Sequence, residues 1–130
     1  MCNMDGVSNI VRLEELEREF SDGTVIWRVN GQEVRVWNLW NYHRRVAVAR
    51  VNIPPGVIFP IHTHDQVESL TCFDGEGKVI IRHNDGSQTE HFISIGDVVK
   101  LVQDEPHSVE AITDLWLIGI TVPSSPEFPE

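Results

Sequence analysis

The chain has 130 residues, of which 41% are hydrophobic and 23% charged, enough apolar content for one buried core and too much for a disordered segment. Twenty acidic residues against ten basic ones leave a formal net charge of −10, which opposes docking on phosphate backbones or anionic lipid heads. No stretch approaches the roughly 20 apolar residues of a membrane span, and Met1-Cys-Asn-Met-Asp-Gly6 lacks a basic region followed by an apolar run, so the expected location is cytoplasmic, with neither nucleic acid nor membrane as partner.

In chain order, Ile10, Leu13, Leu16 and Phe20 recur at helical spacing; Ser8 or Asn9 caps the start and Asp22-Gly23 stops it, predicting a short N-terminal helix. Strands are then expected over Thr24–Val29 and Gln32–Trp37, joined by Asn30-Gly31, a strong two-residue hairpin signal. Arg45–Ile53 is another alternating run, closed by Pro54-Pro55-Gly56. Further strands are expected over Val57–His62, Val67–Phe73, Lys78–His83, Ser87–Phe92, Val98–Leu101, His107–Ile112 and Leu115–Val122. Turn signals separate nearly every pair, among them Asp74-Gly75-Glu76-Gly77, Asn84-Asp85-Gly86 and Ser94-Ile95-Gly96-Asp97, a rhythm of about ten residues that suits an antiparallel sandwich or barrel. The expected fold is all-β, an antiparallel jelly-roll barrel (a double-stranded β-helix), with residues 1–130 forming one domain whose core runs from about 24 to 122 and whose proline-rich tail Pro123-Ser-Ser-Pro126-Glu-Phe-Pro129-Glu stays peripheral.

The chemistry concentrates in Gly56-Val-Ile-Phe-Pro-Ile-His62-Thr-His64-Asp-Gln-Val-Glu68-Ser-Leu-Thr-Cys-Phe-Asp-Gly75. In an extended strand His62 and His64 point the same way with Cα atoms about 6.7 Å apart, so two imidazoles can close on one ion. Glu68 in a straight strand would have its Cα about 13 Å from that of His64, too far to share a metal through bonds of about 2 Å. The chain must therefore turn near Asp65, Gln66 and Val67, and Glu68 opens the next strand facing back across the gap. Surface histidines beside acidic residues are common, and a His-x-His pair alone would not separate that bland reading from a ligand pair. A carboxylate behind an obligatory turn favours the metal site.

This spacing of Gly, His, His, Glu and Gly resembles the first signature of the cupin superfamily. A second signature is partly matched by Gly96-Asp-Val-Val-Lys-Leu-Val-Gln-Asp-Glu-Pro-His107-Ser-Val-Glu-Ala111, in which Gly96, Asp97 and His107 fall where the resemblance wants them. Val102, Asp104 and Ala111 stand where the family usually has proline, glycine and asparagine, and Pro106 stiffens the loop instead. The resemblance runs from Arg28 to Pro123. It implies that His62, His64, Glu68 and His107 hold one divalent metal ion per chain near one mouth of the barrel, and that the chain pairs as a homodimer.

Three neutral imidazoles and one carboxylate cancel only one of two positive charges, and a six-coordinate ion keeps two positions for water, oxygen or a bidentate substrate. That is a catalytic rather than a structural arrangement. Fe(II) or Mn(II) suits oxygen activation or enediol stabilisation, whereas Ni or Zn in the same ligands suits acid-base or decarboxylation chemistry. The leading expectation is a dioxygenase-type oxidoreductase acting on a small oxygenated organic molecule that chelates the metal, with no separate catalytic residue assignable. The alternatives are a small-molecule binding or sensor module, and a metal-dependent isomerase or decarboxylase; metal-free sugar epimerases of the superfamily would have no use for the full ligand set.

Alternation from Glu68 puts Leu70 and Cys72 on the interior face, and from His107 it puts Val109 and Ala111 there. Cys72 reads first as a small buried hydrophobe, second as a reactive thiol, and with Cys2 it makes no disulfide framework. Of Trp27, Trp37, Trp40 and Trp116, most are expected in the core and one near the mouth. Arg45 and Arg50 differ in parity, so at most one of them faces the pocket as a carboxylate clamp. His43, His83 and His91 lack partners at ligand spacing and read as surface residues.

Overall fold

The computed structural model describes residues 24–29, 31–62 and 66–123. The expected N-terminal helix, Cys2, Asn30, His64, Asp65 and all of the tail after Pro123 lie outside the described residues, as do the side chains of Trp27 and His62.

Among the described residues ten strands are formed: β1 (Thr24–Val29), β2 (Gln32–Tyr42), β3 (Val46–Ile53), β4 (Ile58–His62), β5 (Val67–Asp74), β6 (Gly77–Arg82), β7 (Gln88–Ile93), β8 (Val98–Leu101), β9 (His107–Ala111) and β10 (Leu115–Val122). They make two antiparallel sheets, one of six strands in the order β1-β2-β3-β10-β5-β8 and one of four in the order β4-β9-β6-β7. Consecutive strands β3 to β10 alternate largely between sheets, which is the jelly-roll path, and the two inner faces enclose the core.

Most strands fall within a residue of the sequence expectation at each end, and the largest difference lies at the end of β2. β2 runs on to Tyr42, and Arg45 belongs to the turn before β3 rather than to the strand. A register shift between Asn38 and Trp40 breaks the alternation inside β2, so the period that marks a strand is lost there. The turn itself carries no glycine: His43 and Arg44 take φ of 47° and 60°, and the Arg45 N–H donates to the Tyr42 carbonyl at 2.8 Å. Two successive left-handed residues make the primed hairpin turn whose twist suits the strands, although neither His nor Arg advertises it.

The interior is built by alternation. On β10, Leu115, Leu117, Gly119 and Thr121 are buried, and on β6 Gly77, Val79 and Ile81 are buried. Leu70, Cys72, Val109 and Ala111 join one core cluster with Val34, Ile53, Val57, Val99, Leu101, Leu115 and Leu117, as the sequence alternation predicts. Turn glycines hold the ends: Gly56, Gly75 and Gly96 have φ of 77°, 84° and 93°, values that side chains rarely adopt. The Gly96-Asp97 turn is stitched to β5, since Gly96 N–H donates to the Cys72 carbonyl and Cys72 N–H to that of Asp97, both at 2.9 Å. Asp97 also accepts the Ser94 N–H at 2.9 Å, closing the turn on itself. No helix among the described residues is long and apolar enough to cross a membrane.

Candidate metal centre

Three of the four expected ligand positions can be located on the backbone. His62 ends β4 and is the Cα partner of His107, which opens β9; Ile81 of β6 flanks His107 on its other side. Cα atoms paired across antiparallel strands lie about 4.5–5.5 Å apart, so the two histidines are immediate neighbours in the four-stranded sheet. A register shift between Phe59 and His62 sets this pairing. Glu68 comes from the opposite sheet, on β5 between Thr121 of β10 and Leu101 of β8.

The side chains of Glu68 and His107 meet across the gap between the sheets. His107 is 1% exposed, and its Nε2 lies 3.7 Å from Oε1 of Glu68. Its Nδ1 is 2.9 Å from the Glu105 carbonyl. A carbonyl only accepts, so Nδ1 carries the proton, and in the neutral ring Nε2 presents its lone pair toward the carboxylate. The 3.7 Å separation is longer than a hydrogen bond. A buried imidazole nitrogen and a carboxylate oxygen facing one another, with the other ring nitrogen held by a backbone carbonyl, is an arrangement that suits a divalent cation. These residues fit a metal. Among the described residues no group of three or more His, Cys, Asp or Glu comes together, His64 and the His62 side chain lying outside them.

The loop before His107 explains the departure from the family pattern. Asp104, which stands where glycine is usual, has φ of 59°, and aspartate is among the few side chains that tolerate the left-handed region. The Pro106 carbonyl accepts the Arg82 N–H at 2.9 Å, which ties the loop to the end of β6 just before His107.

Sequence reasoning did not single out the surroundings of Glu68. Thr121, its Cα partner, is buried, and so is Gln66, two residues before it. Gly119 leaves the neighbouring interior position empty of side chain: a Cβ there would stand 3.3 Å from Leu70 Cδ2 and 3.9 Å from Glu68 Oε2. Its cross-strand partner Ala49 and the next interior residue Ala47 are also small and buried. The inward parity of Thr121 and Gly119 was readable from Leu115 and Leu117; that their row meets Glu68 was not.

Other candidates fall elsewhere. Cys72 is 1% exposed deep in the core, its thiol 3.5 Å from the carbonyls of Asp74 and Gly75, and burial pushes its pKa up. It is a small hydrophobe with a weak donor, as the sequence favours. Neither arginine clamps the interior: Arg45 is exposed in its turn, and Arg50 faces the outer side of the six-stranded sheet beneath Trp37 and Trp116. Trp37 is buried, Trp116 half-buried and Trp40 exposed, all on that outer side. His43, His83 and His91 are exposed.

The cupin family model matches residues 21–127. The chain belongs to the cupin family. Among curated proteins none matches it. Among solved structures, this cupin resembles oxalate decarboxylase of Bacillus subtilis, a protein with Mn(II) centers, at 21% identity and a TM-score of 0.65, over 82% of this chain and 29% of that one. The chain thus spans less than a third of that relative. It also resembles a predicted oxalate decarboxylase from Thermotoga maritima at 26% identity and a TM-score of 0.62, over 77% of this chain and 91% of that one. KdgF from Halomonas sp. is similar at 14% identity and a TM-score of 0.66, over 78% and 89% of the two chains.

Proposed function

We propose that this cupin is a metal-dependent enzyme in which His62, His64, Glu68 and His107 hold one divalent ion, Fe(II) or Mn(II), and a small oxygenated organic substrate binds beside Glu68. The observation that carries the proposal is the buried His107 imidazole, proton-anchored at Nδ1 by the Glu105 carbonyl, with Nε2 turned to the Glu68 carboxylate. When bound, the ion supplies Lewis acidity and, as Fe(II) or Mn(II), redox capacity. The chain's own residues do the rest. Glu105 keeps the His107 tautomer fixed, and Glu68 supplies the negative charge that offsets the cation. Leu70, Val99, Leu101 and Val109 keep water from beneath the site. Gly119, Ala47 and Ala49 keep the interior row beside Glu68 short in side chain, with Leu70 packed close to Gly119.

Within this reading a dioxygenase-type reaction is the first choice for the metals favoured by the ligand set. A decarboxylase acting on a small carboxylate is the second, supported by the likeness to an oxalate decarboxylase with Mn(II) centers and to a predicted oxalate decarboxylase. Pairing as a homodimer belongs to the same proposal and is supported by Trp40, Tyr42, Val67, Ile120 and Val122, which leave an apolar outer face exposed. The decisive experiment loads chelator-stripped protein with Fe(II) or Mn(II) and offers a 1,3-diketone, a flavonol or catechol in an oxygen electrode, and oxalate with carbon dioxide and formate read out. Oxygen uptake selects the first reaction and formate release the second. Metal content left intact by His62→Ala and His107→Ala together would overturn the ligand assignment.

A further inference from the structure

Strand β10 carries a single hydroxyl, that of Thr121. Alternation places it on the interior face with Leu115, Leu117 and Gly119, and the residue is 7% exposed. Its Cα partners are Ala47 on β3 and Glu68 on β5. Ala47 is fully buried and presents a methyl group, which neither donates nor accepts. Glu68 directs its Oε1 toward Nε2 of His107, 3.7 Å away. Among the described residues none makes a hydrogen bond with the Thr121 hydroxyl, and its oxygen is not fully sealed.

A hydroxyl in that position is a cost to the resting fold. Burial takes it out of water, and the desolvation is not returned until a partner is supplied. Valine has nearly the same shape, suits a strand at least as well and would bury the position without that loss. The rest of β10 follows that logic: Trp116, Ile118, Ile120 and Val122 alternate outward, and Leu115 and Leu117 inward, around Gly119. Leu115 and Leu117 belong to the apolar core cluster. What sets position 121 apart is its neighbour, since it stands beside the one interior carboxylate of the described residues that faces a buried imidazole.

We propose that Thr121 is a substrate-binding residue whose hydroxyl donates a hydrogen bond to one oxygen of a small oxygen-chelating molecule seated beside Glu68. The inference rests on the proposed metal centre for what brings that molecule there, and goes beyond it in naming a contact that none of the four metal-ligand positions supplies. An ionised carboxylate such as that of Glu68 only accepts, whereas a hydroxyl donates, so Thr121 gives the wall beside Glu68 a donor that meets a carboxylate, keto or enolate oxygen. The interior neighbours Leu70, Leu101 and Ala47 are apolar and give shape without a directional contact.

The test compares the full chain with Thr121→Val and Thr121→Ser in two measurements. In thermal unfolding of the metal-free proteins, Thr121→Val melts at or above the parent midpoint, because no partner is lost. The Mn(II)-loaded proteins are then titrated calorimetrically with oxalate, after elemental analysis of each. Manganese content is the same in all three, oxalate affinity falls at least about tenfold in Thr121→Val, and Thr121→Ser stays within about threefold of the parent. A lowered midpoint for Thr121→Val would show the hydroxyl already engaged in the resting fold and overturn the proposal. So would oxalate affinity unchanged in Thr121→Val, a loss in Thr121→Ser as large as in Thr121→Val, or a manganese-loaded parent without saturable oxalate binding below about 10 mM. A parent that retains no manganese would overturn the metal reading and this inference with it, whereas the other adverse outcomes strike at Thr121 alone.

Discussion

Asp104, three residues before His107, shows how one side chain can stand in for a missing glycine. Asp104 occupies a left-handed backbone position, φ of 59°, in the loop that delivers His107 to the barrel interior. Aspartate adopts that region at modest cost, whereas a β-branched residue there is strained by about 1–3 kcal/mol. Asp104→Gly should therefore shift stability by less than about 1 kcal/mol, because relief of strain is offset by the greater freedom of glycine in the unfolded chain. Asp104→Val should lower it by about 1–3 kcal/mol. Thermal denaturation of the two variants beside the parent checks this; equal midpoints for glycine and valine would show that the loop does not need the left-handed turn. At the same scale, the Nδ1 side of His107 is held by a backbone carbonyl, that of Glu105.

Among the elements, the turns do the positioning. Gly75 ends β5 with φ of 84°, and a Cβ there would be driven into the Asp114 carbonyl, while at Gly31, with φ of 80°, nothing lies within 4 Å. Gly31→Ala should cost about 1 kcal/mol, the strain of a left-handed alanine alone. Gly75→Ala adds an overpacking term of about 1–3 kcal/mol, because backbone atoms cannot swing away as a flexible side chain can. Denaturant midpoints for the two variants measure the difference; equal losses would mean that the close approach at Asp114 is relaxed in solution. The turns also account for which strands were visible in advance. Strands bounded by clear turn residues were located to within a residue or so, as with Val98–Leu101 after Gly96-Asp97 and Leu115–Val122 between Thr113-Asp114 and Pro123. The end of β2 was missed because its bulge disrupts the period and its turn is made by His43 and Arg44.

For the whole molecule, the proposed metal centre lies between two sheets and depends on both. His62 and His107 are neighbours in the four-stranded sheet, and Glu68 reaches His107 from the six-stranded one. In the proposed metal-bound form the ion cross-links the sheets, so its removal should lower the unfolding midpoint, an effect that grows with metal concentration. Imidazoles bind metal only as neutral rings. Protonation therefore competes with the ion, and retention falls as pH drops through the ordinary histidine range near about 6.5. Elemental analysis after exchange at pH 4.5 and at pH 7.5 should find the metal depleted at the lower value and retained at the higher. Metal content that is the same at both would count against histidine ligation.

Sequence alone determined the all-β class, the strand rhythm and the interior parity of Leu70, Cys72, Val109 and Ala111, because alternation and turn chemistry are local properties written along the chain. It also marked Glu68 and His107 as residues to watch, through spacing and a family resemblance. Only the tertiary structure decided what faces what. Residues 68 and 107 belong to different sheets, so their 3.7 Å approach depends on how the sheets pack. Arg50 could not be assigned to the outer face from parity alone, since parity orders the residues of a strand relative to one another without saying which side is enclosed. The enclosed side is set by packing between sheets, a contact between residues far apart in sequence that no local pattern records.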